Sequence, residues 1–123
     1  MTIEGIRFDD KGLVPVIAQD DDTGQVLMVA HMNRESLQQT WGTGRMTYWS
    51  RSRKRLWVKG ERSGHVQHVV EFRMDCDGDV LLFKVTQQGG ACHTGYRSCF
   101  YRRWDGKQWC VDGEKVFEPN EVY

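Results

Sequence analysis

Nothing in the sequence is long and apolar enough to span a bilayer: the longest apolar run, residues 26–30, falls far short of the about 20 residues a helical span needs. The first ten residues carry Glu4, Asp9 and Asp10 and no apolar stretch, so no secretory leader is expected and a cytoplasmic location is. Proline is scarce, with only Pro15 and Pro119, and there is no Ser-rich linker, repeat or low-complexity tract. One continuous domain is therefore expected over residues 1–123. Neither sign of charge prevails, with 17 Lys plus Arg against 17 Asp plus Glu, so no overall field marks the chain for nucleic acid or an anionic membrane. Also lacking are G-x-G-x-x-G, G-x-x-x-x-G-K-[ST] and any alternation of strand with long helix, which disfavours dinucleotide-binding and P-loop folds.

What remains is a strand-rich pattern punctuated by turns. Residues 13–19 and 25–32 flank Asp-Asp-Asp-Thr-Gly and read as a hairpin. A short helix is expected from Arg34 to about Trp41, capped by Asn33 and ended by Gly42 or Gly44. Further strands are expected at 46–50, 56–60, 65–76, 79–86, 98–104, 107–111 and 114–117. Three Asp-Gly pairs, at 77–78, 105–106 and 112–113, suit type I′ hairpin turns, which join antiparallel neighbours. The expected class is α+β, mostly antiparallel sheet with hairpins and one or two short helices.

Four cysteines without an export signal are expected to stay reduced, which favours metal or catalytic roles over disulfides. Asp75-Cys76-Asp77-Gly78-Asp79 packs three carboxylates and a thiol into five residues. Carboxylates are hard ligands suited to Mg²⁺ and thiolates soft ligands suited to Zn²⁺, so two different ions are implied. An EF-hand fails here, because loop position 12 would be Thr86 rather than Glu. In Gly89-Gly90-Ala91-Cys92-His93-Thr94-Gly95-Tyr96-Arg97-Ser98-Cys99, glycines let a loop bring Cys92 and Cys99 together. Adding Cys76 gives three sulfurs, and three protein ligands with an open position is the pattern of a catalytic zinc. Cys110 is left out, because pairing across Asp105-Gly106 would set it opposite Tyr101. His93, beside Cys92, can either orient the loop or transfer a proton. His31, His65 and His68 lie in strand-like runs, where structural histidines are commoner.

The stretch from Tyr48 to Gly64 interleaves basic side chains with aromatics and hydroxyls, which suits phosphates and a stacked base. The tip at 53–55 also fits a merely solvated turn; Trp49, Arg51, Lys59 and Ser63 stand out. An alternative from another class is a zinc-stabilised RNA-binding module using this stretch. A zinc nucleobase deaminase lacks its H-x-E and P-C-x-x-C signatures.

Taken together, Trp49-Ser50-Arg51-Ser52-Arg53, Leu56-Trp57-Val58-Lys59-Gly60-Glu61, Ser63-Gly64, the acid-cysteine cluster, residues 87–95 and Ser98-Cys99-Phe100 resemble phosphoribosyl-AMP cyclohydrolase, over roughly residues 26–101. The resemblance implies Mg²⁺ on Asp75, Asp77 and Asp79, and Zn²⁺ on Cys76, Cys92 and Cys99. It implies a homodimer with Cys76 from one subunit and Cys92 with Cys99 from the other. It further implies a nucleotide substrate, 1-(5-phosphoribosyl)-AMP, whose adenine N1–C6 bond is opened in histidine biosynthesis by zinc-activated water, with magnesium. His93 is then the expected catalytic residue, and Trp49, Arg51, Ser52, Arg53, Lys59, Glu61 and Ser63 the expected substrate contacts, with the phosphates on Arg51, Arg53 and Lys59. His65, after Ser63-Gly64, departs from the Asn common in the family. A monofunctional form is expected, without the fused pyrophosphohydrolase domain of some relatives.

Overall fold

A computed structural model describes residues 3–121; residues 1–2 and 122–123 at the ends of the expected domain lie outside the described residues. Alternating apolar residues build the first strands. In β1 (Val14–Asp20), Val14, Val16 and Ala18 point inward with Asp20, and in β6 (Leu81–Gln87), Leu81, Phe83 and Val85 do the same. Between them in sequence lie β2 (Val26–Met32), α1 (Arg34–Thr43), β3 (Thr47–Ser50), β4 (Arg55–Val58) and β5 (Gln67–Met74). A hairpin of β7 (Arg102–Trp104) and β8 (Trp109–Val111) and a 3₁₀ turn at Pro119–Glu121 follow.

The main sheet has the order β2-β1-β6-β5. β1 pairs antiparallel with β2, β5 antiparallel with β6, and β1 parallel with β6. One parallel pair thus sits inside an otherwise antiparallel sheet, and the class is α+β. Leu27, Met28, Met32, Leu37, Met46 and Tyr48 close the core against it, and Phe72 stacks on Phe83 at 4.7 Å. Fully burying side chains of this size contributes roughly 1.5–3 kcal/mol each. No helix among the described residues is long and apolar enough to cross a membrane.

The helix ends follow their caps. Asn33 Oδ1 accepts from the Ser36 N–H at 2.8 Å while Ser36 Oγ accepts from the Asn33 N–H at 2.9 Å. Gly44 rather than Gly42 stops it, at φ 75° with its N–H on the Thr40 carbonyl.

Three expectations are corrected. None of the Asp-Gly pairs forms a type I′ turn, because both central residues would need positive φ and Lys54 is the only described non-glycine residue that has it. The connections there are longer: residues 75–80 join β5 to β6 and 105–108 join β7 to β8. Residues 114–117 form no strand, only a bridge between Tyr96 and Lys115, and 98–101 precede β7 as irregular chain. Cys110 pairs opposite Arg103, not Tyr101.

Candidate active site

The register of the β3–β4 hairpin decides which side chains face the site. Tyr48 lies opposite Trp57 and Trp49 opposite Leu56. Directly opposed residues share a face, so Trp57 goes with the buried Tyr48 and Trp49 with the other side. Arg55, Trp57 and Lys59 alternate onto one face, and all three line a cavity of about 670 Å³. The Tyr48 hydroxyl donates to Gln67 Oε1 at 2.7 Å, and Gln67 Nε2 donates to Gln87 Oε1 at 2.7 Å. This buried chain of polar groups joins the hairpin to the main sheet, each member satisfied.

The facing wall is the loop after β6. Its shape comes from Arg97, whose guanidinium donates to the carbonyls of Gln87 at 3.0 Å and Gly89 at 2.6 Å and pairs with the buried Asp20. Backbone bonds from Ala91 N–H to Arg97 and from Cys92 N–H to Tyr96 close the loop on itself. The Cys99 N–H donates to Leu27 at 2.7 Å and Ser98 Oγ to Val26 at 2.7 Å, which ties its end to β2. Cys92 and Cys99 both reach the cavity, with Cys92 Sγ 2.8 Å from Thr94 Oγ1. Burial pushes the Cys99 thiol up to about 12, helped by the Cys92 thiol and opposed by Lys59. Lys59 is itself buried, which lowers its pKa, with Cys99 and Cys92 acting the other way.

A second, separate cleft holds the acids. Asp75, Asp77 and Asp79 place a carboxylate oxygen each within 4.8 Å of one another, on the loop between β5 and β6. Arg7 N–H donates to the Gly78 carbonyl at 2.7 Å, docking the N-terminal segment there. A Cβ on Gly78 would run into the Gly5 carbonyl, so the close approach requires glycine at this position. Desolvation works against the Asp75 carboxylate, but N–H donation from Asp79, Val80 and Gly78 outweighs it and lowers its pKa. Asp79 is raised, first through the hydrogen bond it shares with Asp75, then by desolvation and by the negative charges of Asp75 and Asp77.

Of the residues singled out in the sequence, Arg53, Lys59, Glu61, Ser63, Cys92, His93 and Cys99 line the larger cavity. Trp49, Arg51 and Ser52 are not among its lining residues; Arg51 lies near His31 instead, where its charge, after burial, helps lower the histidine's pKa. Asp77 and Asp79 line the other cleft, and no residue lines both. His65 packs edge-on against Phe117 at 4.5 Å, its Nδ1 buried without a hydrogen-bond partner. Sequence reasoning missed Trp57, Arg55 and Arg62 as lining residues. The period-two rule applied to Lys59 would have found the first two.

The donor sets differ in completeness. Among the described residues, the three aspartates are the only group that brings three ligand atoms to one point, and their hard oxygens and mutual repulsion fit a divalent cation such as Mg²⁺. Cys92 and Cys99 provide two adjacent soft ligands fit for Zn²⁺. Cys76 does not join them within the chain. It follows β5 at one end of the strand order, whereas Cys99 is bonded to β2 at the other, three strand steps away, which alone is on the order of 14 Å across the sheet.

A family model described as phosphoribosyl-AMP cyclohydrolase matches residues 28–101. Proteins of that name from Salinibacter ruber, Methanococcoides burtonii and Bordetella parapertussis are similar to the chain. The first is 60% identical over 98% of this chain and 95% of its own length. The second is 57% identical over 98% of both. The third is 59% identical over 96% of this chain and 92% of its own.

Proposed function

Because the chain belongs to the phosphoribosyl-AMP cyclohydrolase family, we propose that it hydrolyses the N1–C6 bond of the adenine ring in 1-(5-phosphoribosyl)-AMP, as a cytoplasmic step of histidine biosynthesis. The observation that carries this reading is the cavity itself. An aromatic face, a basic rim, two thiols and a histidine converge in about 670 Å³, within the range of small-ligand sites.

Each wall has a chemical task. The Trp57 face takes the purine by stacking, in place of Trp49. Arg53, Arg55 and Arg62 meet the substrate's phosphates, for which planar guanidinium groups are suited. Substitution at N1 withdraws electrons from the ring and makes C6 electrophilic. Water adds at C6, the N1–C6 bond breaks, and N1 gains a proton, giving the formimino carboxamide nucleotide. His93, exposed at the cavity beside Cys92, holds the water's proton and returns it to N1.

Zn²⁺ would be held by Cys92 and Cys99 with Cys76 of the partner subunit, and when bound it supplies Lewis acidity toward water in the site. Mg²⁺ would be held by Asp75, Asp77 and Asp79, where it relieves their repulsion. The separation of Cys76 from the other two cysteines within one chain supports such sharing. The RNA-binding alternative is disfavoured by the hairpin register, because Tyr48 is buried beside Trp57 and Trp49 faces the other side, so no row of exposed aromatics lines one face.

The test is an ultraviolet assay with phosphoribosyl-AMP, run as isolated, after chelation, and after returning Zn²⁺ and Mg²⁺ separately and together. Metal-dependent ring opening without ammonia release is the expected result. No turnover with both metals restored would overturn the proposal.

A further inference from the structure

Lys59 is the one residue of the basic stretch whose position contradicts its chemistry. Its neighbours Arg53, Arg55 and Arg62 are exposed, as substrate-facing cations should be, yet Lys59 is only 6% exposed. Its Nζ donates to the carbonyl of Ala91, the residue immediately before Cys92, and stands 5.5 Å from the Trp57 ring. No ion pair among those of the described residues involves it. A buried ammonium without an anionic partner is costly, and one carbonyl and one ring face do not replace its hydration.

The other lining groups that can carry negative charge are Glu61, which is exposed and forms no ion pair with Lys59 among the described residues, and the two thiols of the loop. Cys92 and Cys99 line the same cavity as Lys59, whose Nζ is bonded to the residue next to Cys92. A divalent ion with three thiolates is left net negative, so a fixed cation nearby favours its assembly.

Building on the zinc reading above, we propose that Lys59 is a positioning residue for the cysteine pair rather than a phosphate contact: it fixes the Ala91 carbonyl, and with it the Cys92 backbone, and supplies the positive charge that lets the thiolates share one metal ion. Its burial puts the charge where the thiolates are and out of reach of a phosphate bound at the arginine rim. The flexible lysine stem reaches the carbonyl from the residue immediately after β4.

The test uses full-length protein loaded with Co²⁺, read by the sulfur-to-cobalt charge-transfer band, and with Zn²⁺, read by competition with a chromophoric chelator. Lys59→Gln keeps a donor for Ala91 without charge, and Lys59→Arg keeps the charge. Loss of an outer partner of a metal ligand weakens metal affinity by roughly 10–100-fold. That loss is expected for Lys59→Gln, with a shifted band, substantial recovery in Lys59→Arg, and an unchanged KM once metal is saturating. Lys59→Met, which keeps the apolar stem, gives the same reading if the Gln variant fails to fold. A Lys59→Gln protein that binds both metals as the parent does, but with a raised KM, would overturn the proposal in favour of the phosphate contact. If the parent itself bound neither metal, the zinc reading would fall and this inference with it.

Discussion

The guanidinium of Arg97 lies 3.3 Å from the carboxylate of Asp20, 77 residues earlier in the chain. Asp20 ends β1 and is buried, whereas Arg97 sits between the two cysteines of the loop, so this pair sets where the loop stands on the sheet. Removing one partner of such a pair costs about 3 kcal/mol or more, mostly from the charge left behind. Arg97→Met is therefore expected to lower the urea midpoint and to loosen metal binding together. Equal metal affinity in the destabilised variant would show that the loop holds its shape without the pair.

The same pair gives an acid-side signature. Burial raises the pKa of Asp20, but the Thr23 hydroxyl and the Arg97 charge outweigh it, and the net shift is downward from 3.8. A carboxylate depressed in the folded state contributes stability that is present above 3.8 and lost as pH falls through the folded value. Asp20→Asn is expected to be less stable at neutral pH and to show a shallower loss on acidification. A parallel acid limb in both proteins would count against this role.

Trp57 and Trp49 separate binding from structure. Stacking on an aromatic ring is worth about 1–3 kcal/mol per base, so Trp57→Ala should raise KM roughly fivefold or more. Trp49→Ala should leave KM near that of the parent, because its side chain is not among those lining the cavity. Steady-state kinetics on the two variants check the assignment, and a reversed pattern would restore Trp49 as the stacking ring.

The difference between the two tryptophans shows where sequence legibility stops. Strands β1 and β6 were visible because every second residue is apolar, and α1 because Asn33 is placed to cap its start and a glycine to end it. The cysteine loop and acid cluster were visible because chemically distinct residues are dense there. Which tryptophan meets the substrate depends on the register of a four-residue strand pair and on a loop packed across it, and neither is a local property. Arg97 was inconspicuous for the same reason: its partner is remote and no periodicity marks it. The Asp-Gly pairs misled because the dipeptide's preference for type I′ turns applies to two-residue connections, and the loops here are longer.

His65 makes a pH dependence of opposite origin. Burial, then the charge of Lys59, lowers its pKa from 6.5, and its ring is wedged between Gly89 and Phe117. The unfolded chain takes up the proton first, so stability is full above 6.5 and falls as pH drops from there toward the folded value. Denaturant midpoints measured on both sides of 6.5 should show this loss in the parent and less of it in His65→Gln. An identical slope in the variant would assign the titration to another group.

The proposed sharing of the thiolates between subunits has a test that neither variant alone provides. Cys76→Ser and Cys92→Ser proteins should each be inactive, since each lacks a ligand in every site. If the ligands come from different chains, a dimer with one subunit of each kind has one site with all three cysteines and one with neither Cys76 nor Cys92. Random reassociation of equal amounts makes half the dimers mixed, so about a quarter of parental activity should return. If the three cysteines instead came from one chain after a rearrangement of the 75–80 loop, no mixture would recover any. Recovery on mixing thus distinguishes a shared site from a rearranged one, even though both would lose activity in the single variants.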